Sequence, residues 1–177
     1  AIGTSALIQN INGGGNTASG RSALRFNTSG SQNTASGHST LYRNTTGNNN
    51  TASGRNALFN NLDGFNNTAS GRNALVNNTS GDNNTAVGRS ALSNSSTGGN
   101  NIGVGYIAGS NVTTGSNNIM IGNTGVSGDS ATIRIGTPGT HTATHLAGAV
   151  SVDGTPVISA TGDWLGNPTG GVVGVQG

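Results

Sequence analysis

The chain has 177 residues, of which 32 are glycine, 7% are charged and 3% are aromatic, and it has no cysteine. Disulfide staples and cysteine-based metal sites are thereby excluded, and a net charge of +2 gives no footing for nucleic-acid binding. Low charge with few aromatics would ordinarily suggest disorder, but a disordered polar tract has no need to hold the strict period found here.

That period is seventeen residues. One glycine series runs Gly3, Gly20, Gly37, Gly54, Gly71, Gly88, Gly105 and Gly122; a second, in step with it, runs from Gly13 through Gly30 and Gly47 to Gly115. Two tight turns per unit leave only short segments between them. The unit is too short for a helical hairpin, and it suits one coil of an all-β parallel solenoid in which like residues stack on like. The array should span 1–136, with coils about 4.8 Å apart. The opening A-I-G-T-S-A-L reads as the inner part of a coil, which makes the chain an expected piece of something longer.

Within the unit, asparagine stands four residues before each first-series glycine, at Asn16, Asn33, Asn50, Asn67, Asn84, Asn101 and Asn118. Stacked asparagines can bond one another and supply turn geometry, so Asn and Gly are expected at the corners, with T-A-S and A-L-x on the flats. Gly20, Gly37, Gly54, Gly71 and Gly88 complete this turn ladder. Toward the C-terminal end, Thr-x-Ser becomes Ile102-x-Val104, Ile119-x-Ile121 and Ile133-x-Ile135. Residues two apart on a strand share a face, and paired Ile and Val suggest burial. The Thr-x-Ser face is therefore expected to be a thin interior or a subunit contact. The final step, from Gly122 to Gly136, is fourteen residues, so one corner is trimmed.

Residues 137–170 break the repeat and read as a β neck or cap containing a hairpin, with a turn at Asp153-Gly154. In 171–177, glycines at spacing three suggest the start of a collagen-like Gly-X-Y tail. A seventeen-residue coil of Ala, Ser, Thr and one Leu buries little apolar area against roughly 1–2 kcal/mol of backbone ordering per residue. Packing several rolls side by side would bury a second face, and a collagen-like tail needs three chains; both predict a homotrimer.

The stretch N-T-A-V-G-R-S-A-L at 84–92, with N-N-I-M-I-G at 117–122, resembles the head repeats of trimeric autotransporter adhesins of the YadA-like kind. Together with A-T-I-R-I-G-T-P-G-T-H-T-A-T at 131–144, the chain looks still more like the roll segments of phage tail fibres and bacterial surface proteins that carry an endosialidase-type intramolecular chaperone. The resemblance covers roughly residues 1–160. It implies a left-handed parallel β-roll, trimeric, in an extracellular fibre, with no catalytic residues to carry over. The period here is longer than that of adhesin heads, so their loop-borne binding features are not transferred.

Several side-chain patterns are candidates for function. Arg21, Arg55, Arg72 and Arg89 follow the repeat glycine, with His38 in the gap. Such a row can contact an anionic ligand, for example a host-surface glycan or a matrix protein; it can equally be a solvated ladder bonding Asn and backbone carbonyls. A regular Thr array is what ice binding requires if the face is exposed. Asn-x-Ser/Thr sequons stand at Asn27, Asn44, Asn49, Asn66, Asn77, Asn78, Asn83, Asn94 and Asn111, a by-product of turns built from Asn and Thr. His141 and His145 share a side of an extended segment and could meet symmetry mates, and Trp164 is expected to anchor the neck. The five aspartates are scattered and no nucleophile–base arrangement stands out, so the expectation is a non-enzyme without cofactor or metal.

Taken together, the sequence predicts a structural or adhesive section of an extracellular trimeric fibre: stiff spacer or multivalent attachment head. It predicts no nucleic-acid partner, no membrane insertion in this segment, and end-to-end stacking of open coils as a route to filaments. The alternative is a ligand-binding solenoid that presents one repeated face to a polyanionic glycan or to ice.

Overall fold

In the computed structural model the described residues are 1–140, 150–152 and 155–158. Eight three-residue strands recur once per coil: β1 (Thr17–Ser19), β2 (Thr34–Ser36), β3 (Thr51–Ser53), β4 (Thr68–Ser70), β5 (Thr85–Val87), β6 (Ile102–Val104), β7 (Ile119–Ile121) and β8 (Ile133–Ile135). They form one parallel sheet in chain order, every pair in register, as in Thr34↔Thr51 and Ser36↔Ser53. This is the expected β-solenoid. The repeat array forms one compact unit, Ala1–Thr137. In the second unit, Pro138–Gly177, β9 (Val150–Val152) pairs antiparallel with β10 (Thr155–Ile158). His141, His145, Trp164 and the tail 171–177 lie outside the described residues.

The core is built from three apolar columns. In the third coil these are Ala52 from the strand, then Ala57 and Leu58, each at most 1% exposed. The same triad recurs as Ala69, Ala74 and Leu75, and as Ala86, Ala91 and Leu92. The strand residue that points inward is thus the alanine. Thr and Ser on either side of it point out, with the strand exposed–buried–exposed in β1 to β4. The reading of Thr-x-Ser as an interior is overturned. The reason is volume: Leu58 fills the narrow coil from the far wall and leaves room for no more than a methyl group from the strand.

The A-L-x segment is also not a flat. After each repeat glycine the chain makes two successive turns, closed by Ala57 N–H to the Gly54 carbonyl at 3.3 Å and Asn61 N–H to the Leu58 carbonyl at 3.3 Å. Asn56 in the first turn has φ 57°, and Leu58 itself has φ 50°. Leucine rarely adopts the left-handed region. It holds it here in six coils, from Leu7 to Leu92, because its N–H bonds the next coil, as in Leu58 to the Ala74 carbonyl at 3.0 Å. Burial of the leucine side chain, about 1.5–3 kcal/mol, offsets the strain.

Both glycine series are required by close stacking. Gly54 has φ 125°, and a Cβ on it would stand 2.7 Å from the Gly71 carbonyl of the next coil. A Cβ on Gly64 would stand 2.6 Å from both Asn61 Oδ1 and the Gly81 oxygen.

Two asparagine ladders line the core beside these second-series glycines. In the first, Asn50 N–H donates to Asn33 Oδ1 at 2.9 Å and Asn67 N–H to Asn50 Oδ1 at 3.0 Å, continuing to Asn118. The second runs through Asn10, Asn27, Asn44, Asn61 and Asn78, with Asn61 Nδ2 donating to Asn44 Oδ1 at 2.7 Å. The two meet at one acceptor: the Gly64 carbonyl receives Asn50 Nδ2 at 2.8 Å and Asn61 Nδ2 at 2.9 Å. This second ladder was missed in the sequence, although its signal is plain there: an asparagine three residues before Gly13, Gly30, Gly47, Gly64 and Gly81.

At the trimmed last coil an ion pair closes the core. Arg134 takes the inward strand position of the alanines and donates from Nε and Nη2 to the Asp129 carboxylate, both at 2.7 Å. Val126 N–H donates to the same carboxylate at 2.8 Å. Hydrogen bonding from Arg134 holds the Asp129 carboxyl below the usual carboxylate range, against the opposing push of burial.

Candidate functional site

Two surfaces of the repeat unit offer chemistry, and the strand fixes both. The first is its outward face. Thr17, Thr34, Thr51 and Thr68 form one exposed rank, and Ser19, Ser36, Ser53 and Ser70 form a second. In register with them lie Val87 (41% exposed), Ile102 and Val104 (both 38%), Ile121 (40%), Ile133 (66%) and Ile135 (59%). One continuous face is therefore hydroxylated over β1 to β4, mixed at β5 with Thr85 and Val87, and aliphatic over β6 to β8. Exposed contiguous aliphatic ranks of this kind mark contact surfaces.

The second surface is the corner just past the strand. Arg21, Arg55, Arg72 and Arg89 all stand there, exposed, with His38 between the first two and Tyr106 after the last. The first-series glycines set this corner, and its backbone is held coil to coil: Asn73 N–H donates to the Arg55 carbonyl at 3.0 Å, Ser90 N–H to that of Arg72 at 2.9 Å, and Ile107 N–H to that of Arg89 at 2.9 Å. Among the described residues the ion pair found is Arg134–Asp129, so no carboxylate neutralises the row. Like charges one coil apart in water repel by on the order of 1 kcal/mol, less at physiological salt. Arg89 is partly stabilised by Tyr106, its guanidinium carbon lying 5.5 Å from the ring centroid.

The remaining arginines belong to another side of the coil. Arg25 lies 5.4 Å from the Phe26 ring centroid and 6.0 Å from that of Tyr42, and Tyr42 stacks on Phe59 at 4.8 Å. Arg43 donates to Asn60 Oδ1 at 3.4 Å. The aromatic column explains Arg25 as packing.

The turn ladder residues Asn33, Asn50, Asn67, Asn84, Asn101 and Asn118 are fully buried, and Asn16 at the first coil is half-buried; their amides are consumed by the ladder. Of the sequons, Asn27, Asn44 and Asn78 are fully buried and so closed to modification in the folded chain. Among the described residues no three of His, Cys, Asp or Glu come together as a metal site would need. Among the described residues, no helix is long and apolar enough to cross a membrane.

Compared with known proteins, the chain matches no family model, no curated protein and no solved structure.

Proposed function

We propose that this chain is a structural or adhesive section of an extracellular fibre in which three copies pack through their strand faces. The observation that carries the reading is the exposed aliphatic rank from Val87 of β5 to β8, in register with Thr and Ser on β1 to β4. A coil whose own interior already holds alanine, leucine and asparagine has no use for outward Ile and Val unless another surface covers them. Cyclic packing of identical faces closes the assembly without leaving an open edge. The small Thr and Ser of the first coils suit the same close approach. Short rigid coils then serve as a spacer or head that repeats each surface feature three times, so that weak contacts act together. The resemblance of the 84–92 and 131–144 segments to fibre and adhesin repeats agrees with this.

Native mass by light scattering on a sizing column tests it. A mass of three chains is expected; a single-chain mass at micromolar concentration overturns the trimer.

A second reading rests on the exposure of the Thr and Ser ranks. In a single-chain protein, hydroxyls repeating at the coil step would form a regular face for ordered water, as ice binding requires. A single-chain mass with thermal hysteresis of the freezing point would select that reading.

A further inference from the structure

The corner column reads Arg55, Arg72, Arg89, Tyr106 over four successive coils. We infer that it binds a linear acidic polysaccharide carrying one carboxylate per sugar ring, laid along the stack of coils. Each guanidinium, on its long rotatable side chain, would reach the carboxylate of one ring on either side of the glycan chain, and the last ring would lie on Tyr106.

Spacing is the first support. Successive coils advance by about 4.8 Å, close to the advance of one pyranose ring in an extended chain. Unit for unit, an extended acidic peptide advances only ~3.3 Å per residue, out of step with the arginines. A single nucleic-acid strand prefers aromatics interleaved along its path for its bases, and this column has one aromatic, at its end.

Chemistry is the second. A guanidinium offers a planar pair of donors that a carboxylate accepts bidentately. Tyr106 is 62% exposed, and its free face suits the C–H face of a sugar. Arg89 and Tyr106 already lie in contact at 5.5 Å, so a charged end and an apolar platform are adjacent.

Preorganisation is the third. The carbonyls of Arg55, Arg72 and Arg89 each accept an N–H from the next coil, which fixes the spacing of the side-chain roots before any ligand arrives. Little ordering is left to oppose binding beyond the side chains themselves. With no carboxylate of the described chain in the row, an incoming polyanion also relieves the repulsion among the arginines. The inference does not depend on the trimer: the column lies beyond the strand face, and its test reads binding, not mass.

The experiment is calorimetry of the whole chain with an oligogalacturonate of about ten rings, beside the same oligosaccharide fully methyl-esterified. Binding of the acid and none of the ester is expected. Arg55→Gln, Arg72→Gln and Arg89→Gln combined should weaken binding by more than about tenfold, since three charge-assisted contacts are lost. Tyr106→Ala should weaken it severalfold, and Arg43→Gln, on another side of the coil, should leave it unchanged. Melting temperature and native mass confirm that each variant is folded. No binding of the acid, equal binding of the ester, an unaffected triple variant, an equal loss with Arg43→Gln, or equally tight binding of single-stranded DNA would each overturn the proposal.

Discussion

Gly109 and Met120 have exchanged the roles that leucine and alanine hold in the earlier coils. Gly109 stands at the leucine position and Met120 at the inward strand position, and a Cβ on Gly109 would meet Met120 Cγ at 3.4 Å and Leu92 Cδ2 at 2.5 Å. Met120 is fully buried and fills from the strand side the space that Leu58 or Leu75 fills from the turn side. One coil earlier the strand residue is Gly103, where a Cβ would stand 2.8 Å from Leu92 Cγ. The coil that carries Gly103 and Gly109 offers no large side chain from either wall, and Leu92 and Met120 of the flanking coils fill its space.

Gly109→Leu alone should therefore overpack the coil and cost about 1–3 kcal/mol. Adding Met120→Ala should recover part of that loss, with Leu92 Cδ2 remaining the nearer neighbour. The pair is expected to be strongly non-additive in a double-mutant cycle read by thermal or denaturant melts. Additive losses would mean that the two residues do not share a space.

The second asparagine ladder stops at Asn78, because Ser95 follows it. Asn78 Oδ1 and Ser95 Oγ are both buried without a partner, and the Gly98 carbonyl receives Asn84 Nδ2 where earlier glycines receive two amides. Ser95→Asn should extend the ladder to both acceptors and stabilise the array by about 1 kcal/mol. Asn61→Ala, which orphans Asn44 Oδ1 and takes from Asn78 Nδ2 its Asn61 Oδ1 acceptor, should cost about 1–3 kcal/mol. Both are read as shifts in melting temperature.

Acid should loosen the last coil first. The Asp129 carboxyl is held below its usual range chiefly by Arg134. A group with a depressed folded value contributes stability that is complete above its unfolded value, about 3.9, and is lost as pH falls through the folded value. Amide exchange at Thr132 and Gly136, corrected for intrinsic rates, should accelerate below about pH 4 while exchange in β3 and β4 stays slow. Asp129→Asn should abolish that acid dependence and loosen β8 already at neutral pH.

Charge on the strand face separates assembly from folding. Val104→Arg with Ile121→Arg places two cations on outward positions and leaves the core untouched. The expected outcome is an intact solenoid by circular dichroism with the mass of one chain. Retention of a three-chain mass would show that the chains meet elsewhere.

Gly64→Ala tests the stacking argument at a position without positive φ. Its Cβ would press on Asn61 Oδ1 and the Gly81 oxygen. Neither can retreat without breaking a ladder bond, so the cost should be at least about 2 kcal/mol, read by denaturant titration.

Much of the fold is legible in the sequence because the period is strict. Constant phase dictates parallel in-register stacking: Thr34 must meet Thr51 once Gly37 meets Gly54. The first asparagine ladder follows from the same phase, and the second was there to be read at Asn27, Asn44 and Asn61. The Arg55, Arg72 and Arg89 column was visible as a row. Its coil-to-coil backbone bonds and the contact with Tyr106 were not, because the aromatic sits one repeat beyond the last arginine.

What the sequence determined by itself was the coil length, the glycine corners and the stacking of like on like, since a period of identical residues leaves one consistent register. The tertiary structure decided which side of the strand is the inside. T-A-S alternates two faces, and the substitution of Thr and Ser by Ile and Val drew the wrong one inward. A coil this narrow has room for one large side chain, and Leu58, entering from a turn with its backbone at φ 50°, takes it. No local preference of leucine foretells that conformation; it exists because the neighbouring coil offers the Ala74 carbonyl to its N–H.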